Sequence, residues 1–267
     1  MRTRRVTVPA VGVMAAVAFA VSGCSADDTA TPGGTAGTPA ASASSSAADP
    51  AAASALGTAA ATLGSTSFKM TLTAGSGLKV VGTIDAPNHR GTANLTATGT
   101  NTDVAVQTRL DGEDLYVQVP GITKAGTWTR IDVTRLPEGA NIGLRPDQID
   151  PVNTAQLLSS TTDVRQTGSR SYAGTVDLTK VAGVTGVDKV TVDSYGAAAQ
   201  NVPFTAGLDD QGRLSELTIQ LPAVNGQQAQ PLEVLYTDYG VAVGDLKPDP
   251  ATVVEAPADL YTSLGGK

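Results

Sequence analysis

Six short segments between residues 67 and 133 alternate apolar and polar side chains, and this alternation constrains the fold more than any other feature. In the first segment, Phe68, Met70 and Leu72 fall on one side of an extended chain, and the residues between them fall on the other. Turns rich in Gly and Asp separate the segments, as at 111–114. Short strands joined by such turns predict an antiparallel meander with one apolar face.

Two helices and a second group of strands complete the pattern. Residues 49–64 and 150–160 each open with Asp-Pro, which suits the cap and the first turn of a helix. Roughly five further strands are predicted between residues 163 and 240 by the same alternation. Residues 179–200 are ambiguous and could contain another helix, and the Pro-rich stretch 247–257 is predicted to be irregular.

This order predicts an α+β fold in which a curved antiparallel sheet, a half-barrel, wraps around two or three α-helices. Small residues on the predicted inner face, Gly82, Ala93 and Ala97, could leave apolar space unfilled. A fully packed core is the alternative, and the alternation alone does not decide between the two. If a cavity exists, its candidate lining residues are Phe68, Met70, Leu72, Val80, Ile84, Leu95, Val104, Val106, Leu115 and Val117.

The first 23 residues have the pattern of an export signal, with three arginines, then the uncharged apolar run 6–21, then two small residues. That run is shorter than the roughly 20 residues that span a bilayer. The following residue, Cys24, is the only cysteine in the sequence. The segment "VSGC" (21–24) resembles the lipobox of bacterial lipoproteins, which implies that the thiol is acylated and that cleavage makes Cys24 the N-terminus. A free cysteine in an ordinary secretory signal is the alternative.

The next segment, 24–49, consists almost entirely of Ser, Ala, Thr, Gly, Pro and Asp. It contains too little apolar surface to offset its ordering entropy, so we expect a disordered, lipidated tether. Residues 50–267 then form the folded domain. These assignments predict an exported protein that is anchored by Cys24 to the outer face of the cytoplasmic membrane.

Charge and composition argue against several functions. The formal net charge of -7 disfavours nucleic acid as a partner. The single histidine, His89, falls in a predicted turn, and with one cysteine it makes a zinc site improbable. Asp209 and Asp210 fall in another predicted turn, and Ser76 with Lys79 matches S-x-x-K without its companion motifs. We therefore expect no catalytic residues, no metal and no cofactor, and we do not expect an enzyme.

Three stretches, in this order, resemble the LppX/LprAFG family of mycobacterial lipoproteins: "LGSTSFKMTL" after the first helix, "DGEDLYVQVPG…GTWTRIDV" at 111–133 and "GLDDQGRLSELTIQL" at 207–221. The resemblance implies a LolA-like half-barrel with an apolar cavity that receives acyl chains. It implies a role in carrying lipids or lipoglycans across the envelope. Expected partners are those lipids, the cell membrane through Cys24, and an envelope transporter. A non-catalytic, membrane-anchored interaction or sensor module with a packed core is the alternative.

Overall fold

A computed structural model of the chain describes residues 48–75, 77–98, 103–120, 123–137, 143–146, 148–182, 189–223 and 228–264. The predicted signal, the site Cys24 and nearly all of the tether lie outside these residues. The first helix, α1 (Pro50–Thr62), begins as the sequence predicts. The Asp49 side chain accepts a hydrogen bond from the Ala51 N–H at 2.9 Å, which satisfies one of the unpaired donors at the helix start.

Twelve strands in the described residues form one sheet, in the order β12-β6-β5-β4-β3-β2-β1-β11-β10-β9-β8-β7. The strands are β1 (Ser67–Ala74), β2 (Leu78–Asp85), β3 (Arg90–Thr98), β4 (Asp103–Asp111), β5 (Asp114–Gln118), β6 (Trp128–Asp132), β7 (Thr161–Gln166), β8 (Ser171–Val176), β9 (Val202–Leu208), β10 (Leu214–Leu221), β11 (Gln230–Thr237) and β12 (Val253–Glu255). Neighbouring strands are antiparallel except β12 and β6, which are parallel. The predicted α+β class with a large, curved, mostly antiparallel open sheet is confirmed.

Three short helices follow α1 in the described residues: α2 (Thr154–Ser159), α3 (Lys189–Ser194) and α4 (Ala258–Ser263). The helix predicted over 150–160 is shorter than expected because Asn153 takes a left-handed conformation, φ 49°, which the first helical turn cannot contain. In the ambiguous stretch 179–200, residues 183–188 lie outside the described part and α3 follows them. No described helix has both the length and the apolar character needed to span a membrane.

The prediction of an irregular stretch at 247–257 is wrong in its last part. Residues Val253–Glu255 form β12, which pairs with β6, and α4 follows it with Tyr261 only 1% exposed. A strand of three residues is too short to show the period-two alternation that predicts strands. It forms because the edge of β6 offers unpaired backbone groups. The C-terminal segment therefore belongs to the folded domain.

The strand register places all ten predicted lining residues on one face of the sheet, which we call the inner face. Residues paired directly across antiparallel strands share a face, as Phe68 and Ile84 do in β1 and β2. Burial falls along this face: Phe68 and Ile84 are 0% exposed, whereas Val104 is 41% exposed. One end of the inner face is thus packed, and the other is partly open to solvent.

The sheet packs tightly where the sequence suggested unfilled space. Gly82 lies on the inner face of β2, and a Cβ built there would approach Met70 Cγ at 3.5 Å and the Thr92 carbonyl oxygen at 2.7 Å. Met70, which is 1% exposed, thus occupies the room left by the missing side chain. The small residue here allows close packing and does not create a cavity.

Candidate functional site

An apolar pocket of about 660 Å³ lies on the inner face at β5 and β6, bounded by β12 and α4. The strand register pairs Leu115 with Ile131 and Val117 with Thr129, and these four side chains form the wall of the pocket on the sheet side. Leu115 and Ile131 are buried and form the floor. Val254 in β12, paired with Thr129, is 51% exposed and extends the wall to the mouth.

The second wall of the pocket is α4. Leu260 and Leu264 are four residues apart, so they lie on one side of the helix, and both line the pocket together with Pro257. Tyr261 points instead toward β6, where its hydroxyl oxygen accepts a hydrogen bond from the Asp132 N–H at 2.9 Å. The Arg135 guanidinium lies 3.7 Å from the centre of the Tyr261 ring. These contacts hold the helix against the sheet edge.

The loop between β5 and β6 forms the polar end of the pocket. Thr123 is tied to Val119, since its Oγ1 donates to the Val119 carbonyl at 3.0 Å and accepts from the Val119 N–H at 3.1 Å. Thr127 Oγ1 donates to the Lys124 carbonyl at 2.7 Å. Gly126 has φ 74°, which allows the turn between them. The loop thereby presents Lys124 at the pocket, where it is exposed and is the only charged side chain of the described lining.

Charged groups of the same strands lie on the opposite, outer face. Arg130 contacts Asp114 at 2.6 Å and Glu255 at 3.0 Å, which joins β5, β6 and β12. The hydrogen bond to Asp114 is the main cause that raises the pKa of the Arg130 guanidinium above its ordinary value, and the hydrogen bond to Glu255 is the second. Because side chains alternate between faces, these two carboxylates point away from the pocket.

Of the ten residues predicted to line a cavity, Leu115 and Val117 line this pocket. The other eight lie on the same face outside it, four of them buried in the core and four partly or well exposed. The buried four are Phe68, Met70, Val80 and Ile84, and the exposed four are Leu72, Leu95, Val104 and Val106.

Several lining residues were missing from the prediction. Thr129 and Ile131 carry the same alternation as β5 and could have been found by extending the pattern into β6. Leu260 and Leu264 gave no such signal, because the sequence pattern predicts no strand or helix after the irregular stretch that ends at residue 257.

Two of the residues that were set aside from chemistry, His89 and Asp209, lie in turns, whereas Lys79 lies in β2 and Ser76 lies outside the described residues. His89 follows a short 3-10 helix, and its Nδ1 lies 2.8 Å from the Pro146 carbonyl oxygen. The Asp209 carboxylate accepts hydrogen bonds from the N–H groups of Gln211 at 2.9 Å and Arg213 at 2.8 Å, which stabilise the turn between β9 and β10. Within the described ranges, no group of three or more potential metal-ligating side chains occurs.

No protein-family model matches this chain, and no curated protein matches it. The features that bear on function are therefore the pocket and the N-terminal sequence pattern.

Proposed function

We propose that this protein is a cell-envelope lipoprotein that binds lipid acyl chains in an apolar cavity and carries lipids or lipoglycans between membrane and envelope. The observation that carries the proposal is the pocket lined by Leu115, Ile131, Leu260 and Leu264 at the edge of a curved sheet. A hydrocarbon chain gains about 0.8 kcal/mol for each methylene that it buries. A mostly apolar pocket open to solvent therefore favours such a ligand over a polar one.

The N-terminal sequence supports a position at the membrane. Acylation of Cys24 would anchor the chain to the outer face of the cytoplasmic membrane, and the tether 24–49 would leave the domain free to approach the lipid surface. An anchored domain meets the same membrane repeatedly, so a chain could enter and leave the pocket without a soluble intermediate. We further propose that the sheet is a LolA-like half-barrel of the LppX/LprAFG type.

The proposed mechanism is passive. An acyl chain moves from the bilayer into the pocket while its polar head remains at the mouth, where Lys124 and the loop threonines lie. No bond is broken, so the role requires neither a nucleophile nor a cofactor. We accordingly propose a carrier and not an enzyme.

The test is to identify lipid bound to the whole chain after purification without detergent, by native mass spectrometry. We expect lipid at about one equivalent in the wild type and a strong loss in Val117→Trp, because an indole on the sheet wall would occupy space that the acyl chain needs. The matched control is Val81→Trp, since Val81 lies on the outer face and is 41% exposed. Equal lipid in both variants, with both folded, would count against this pocket.

The packed end of the inner face favours a second candidate, a non-catalytic interaction module. Phe68, Met70 and Ile84 fill that region with the protein's own side chains. The same measurement separates the two functions, because an interaction module would purify without lipid and Val117→Trp would change nothing but stability.

A further inference from the structure

We infer that the pocket at β5, β6 and α4 takes a single long alkyl chain that ends in an anionic head group, and that Lys124 holds this head. The inference rests on the proposed function, since it specifies the ligand of the same pocket. Three features of the described residues carry it: the volume of the pocket, the position of Lys124 and the placement of the nearby carboxylates.

The volume limits the number of chains. A cavity of about 150 Å³ accommodates benzene, which corresponds to roughly 25 Å³ for each carbon atom. On that scale, a pocket of about 660 Å³ has room for roughly 26 carbon atoms. One chain of about 16 to 18 carbons fits with space left for the start of a head group, whereas two such chains would need about 800 Å³ or more. The pocket therefore suits a lipid with one chain.

Lys124 is the group available to the head of that chain. Among the described residues it has no ion-pair partner, and it stands at the polar end of an otherwise uncharged lining. The hydroxyl protons of Thr123 and Thr127 are already donated to backbone carbonyls. A lysine can lay its aliphatic stem along an apolar wall and keep its ammonium group in water, as a head group at the mouth would require.

The carboxylates nearby do not compete for this position. Asp114 and Glu255 contact Arg130 on the outer face, and Asp259 of α4 is not among the lining residues. The chain as a whole carries a formal charge of -7, so an anionic head meets repulsion over much of the remaining surface. One cation beside an apolar pocket on an acidic protein thus selects both the sign and the position of the head group.

The charge is tested with laurate and dodecanol, which share a chain and differ in the charge of the head. Binding is measured by calorimetry on the full chain carrying Cys24→Ser, which has no acyl chain attached. We expect Lys124→Gln to weaken laurate binding about three- to tenfold and to leave dodecanol binding unchanged, because only the ion pair is lost. Lys124→Arg should bind laurate as the parent does, and so should Lys79→Gln, which removes an exposed outer-face charge.

The chain number is tested by extraction from vesicles. Vesicles of phosphatidylcholine carry either 1-palmitoyl lysophosphatidylglycerol or dipalmitoyl phosphatidylglycerol, which share the anionic head and differ in the number of chains. We expect the protein to extract the one-chain lipid and to leave the two-chain lipid in the bilayer, since its second chain would remain exposed to water. Val117→Trp should abolish the extraction.

The outcomes distinguish this inference from the function on which it rests. Equal laurate binding by Lys124→Gln, or equal extraction of the two-chain lipid, would overturn the inference while leaving lipid binding in place. If no amphiphile binds in any arm and Val117→Trp behaves as the parent, both the inference and the proposed function are wrong.

Discussion

The hydroxyl oxygen of Tyr261 accepts a hydrogen bond from the backbone N–H of Asp132, at 2.9 Å. This bond joins α4 to the end of β6, and the Arg135 guanidinium lies over the same ring. The helix that Tyr261 holds is the wall that presents Leu260 and Leu264 to the pocket. The position of that wall thus depends on a contact between segments 129 residues apart in the sequence.

We expect Tyr261→Phe to loosen the C-terminal segment without unfolding the sheet. The substitution leaves the Asp132 N–H without its partner and keeps the ring, so the cost should be about 1 kcal/mol. Hydrogen exchange should accelerate at the amides of β12 and α4. Tyr172→Phe is the control, since Tyr172 lies on β8 far along the sheet order. Unchanged exchange in the Tyr261 variant would show that the bond does not hold the helix.

Asp150 links the start of α2 to the sheet. Its carboxylate accepts hydrogen bonds from the N–H groups of Val152 at 3.0 Å and Thr154 at 2.8 Å, and Thr154 Oγ1 lies 2.6 Å from the Tyr236 hydroxyl. The residue is partly exposed as a whole, but its carboxyl group is enclosed by protein atoms. Burial therefore raises the pKa of Asp150 above its ordinary value, against the lowering effect of those hydrogen bonds.

A raised pKa has a definite sign for stability. The folded state binds the proton more tightly than the unfolded state, so the free energy of unfolding falls as pH rises from the unfolded pKa through the folded pKa. Asp150→Asn keeps an oxygen acceptor and carries no charge. We expect the variant and the wild type to have similar free energies of unfolding in acid, and the variant to become the more stable of the two as the pH approaches neutral. Denaturant titrations across that pH range measure the difference.

Asp177 provides a matched case of opposite sign. The hydrogen bond from the Thr179 side chain is the main cause that lowers the pKa of Asp177, and the Thr179 N–H adds to it. Its contribution to stability is present above the unfolded pKa and is lost as pH falls through the folded pKa. Asp177→Asn should therefore lose stability at neutral pH and match the wild type in acid. The same slope in both variants would contradict the two assignments.

Two glycines should respond oppositely to the same substitution. A Cβ at Gly82 would lie 2.7 Å from the Thr92 carbonyl oxygen, so Gly82→Ala forces β2 and β3 apart and should cost about 1–3 kcal/mol. Gly57 is exposed in α1 with nothing within 4 Å of a Cβ, so Gly57→Ala should stabilise the protein by up to about 1 kcal/mol. Thermal unfolding of both variants measures the difference, and a stabilised Gly82→Ala would disprove the close packing.

Much of the sheet could be predicted because its evidence is local. The alternation of Phe68, Met70 and Leu72 identified β1 with its observed bounds, and the turns between segments made neighbouring strands antiparallel. Pairing residues across those turns then placed the ten candidate side chains on one face. The burial of each side chain could not be predicted. Phe68 and Val104 belong to the same alternating pattern, but Phe68 lies where the inner face is packed and Val104 lies where it is open to solvent.

The amino-acid sequence alone determined the strand pattern and the shared inner face, because period-two alternation is a property of neighbouring residues. The proposed anchor at Cys24 likewise comes from neighbouring residues, since it rests on the resemblance of residues 21–24 to a lipobox. Only the tertiary structure decided that the pocket lies at β5 and β6, since its second wall is α4, which follows Leu115 by more than a hundred residues. The walls of this cavity come from segments that are distant in the sequence. Whether side chains from those segments meet or leave space depends on how the whole chain packs.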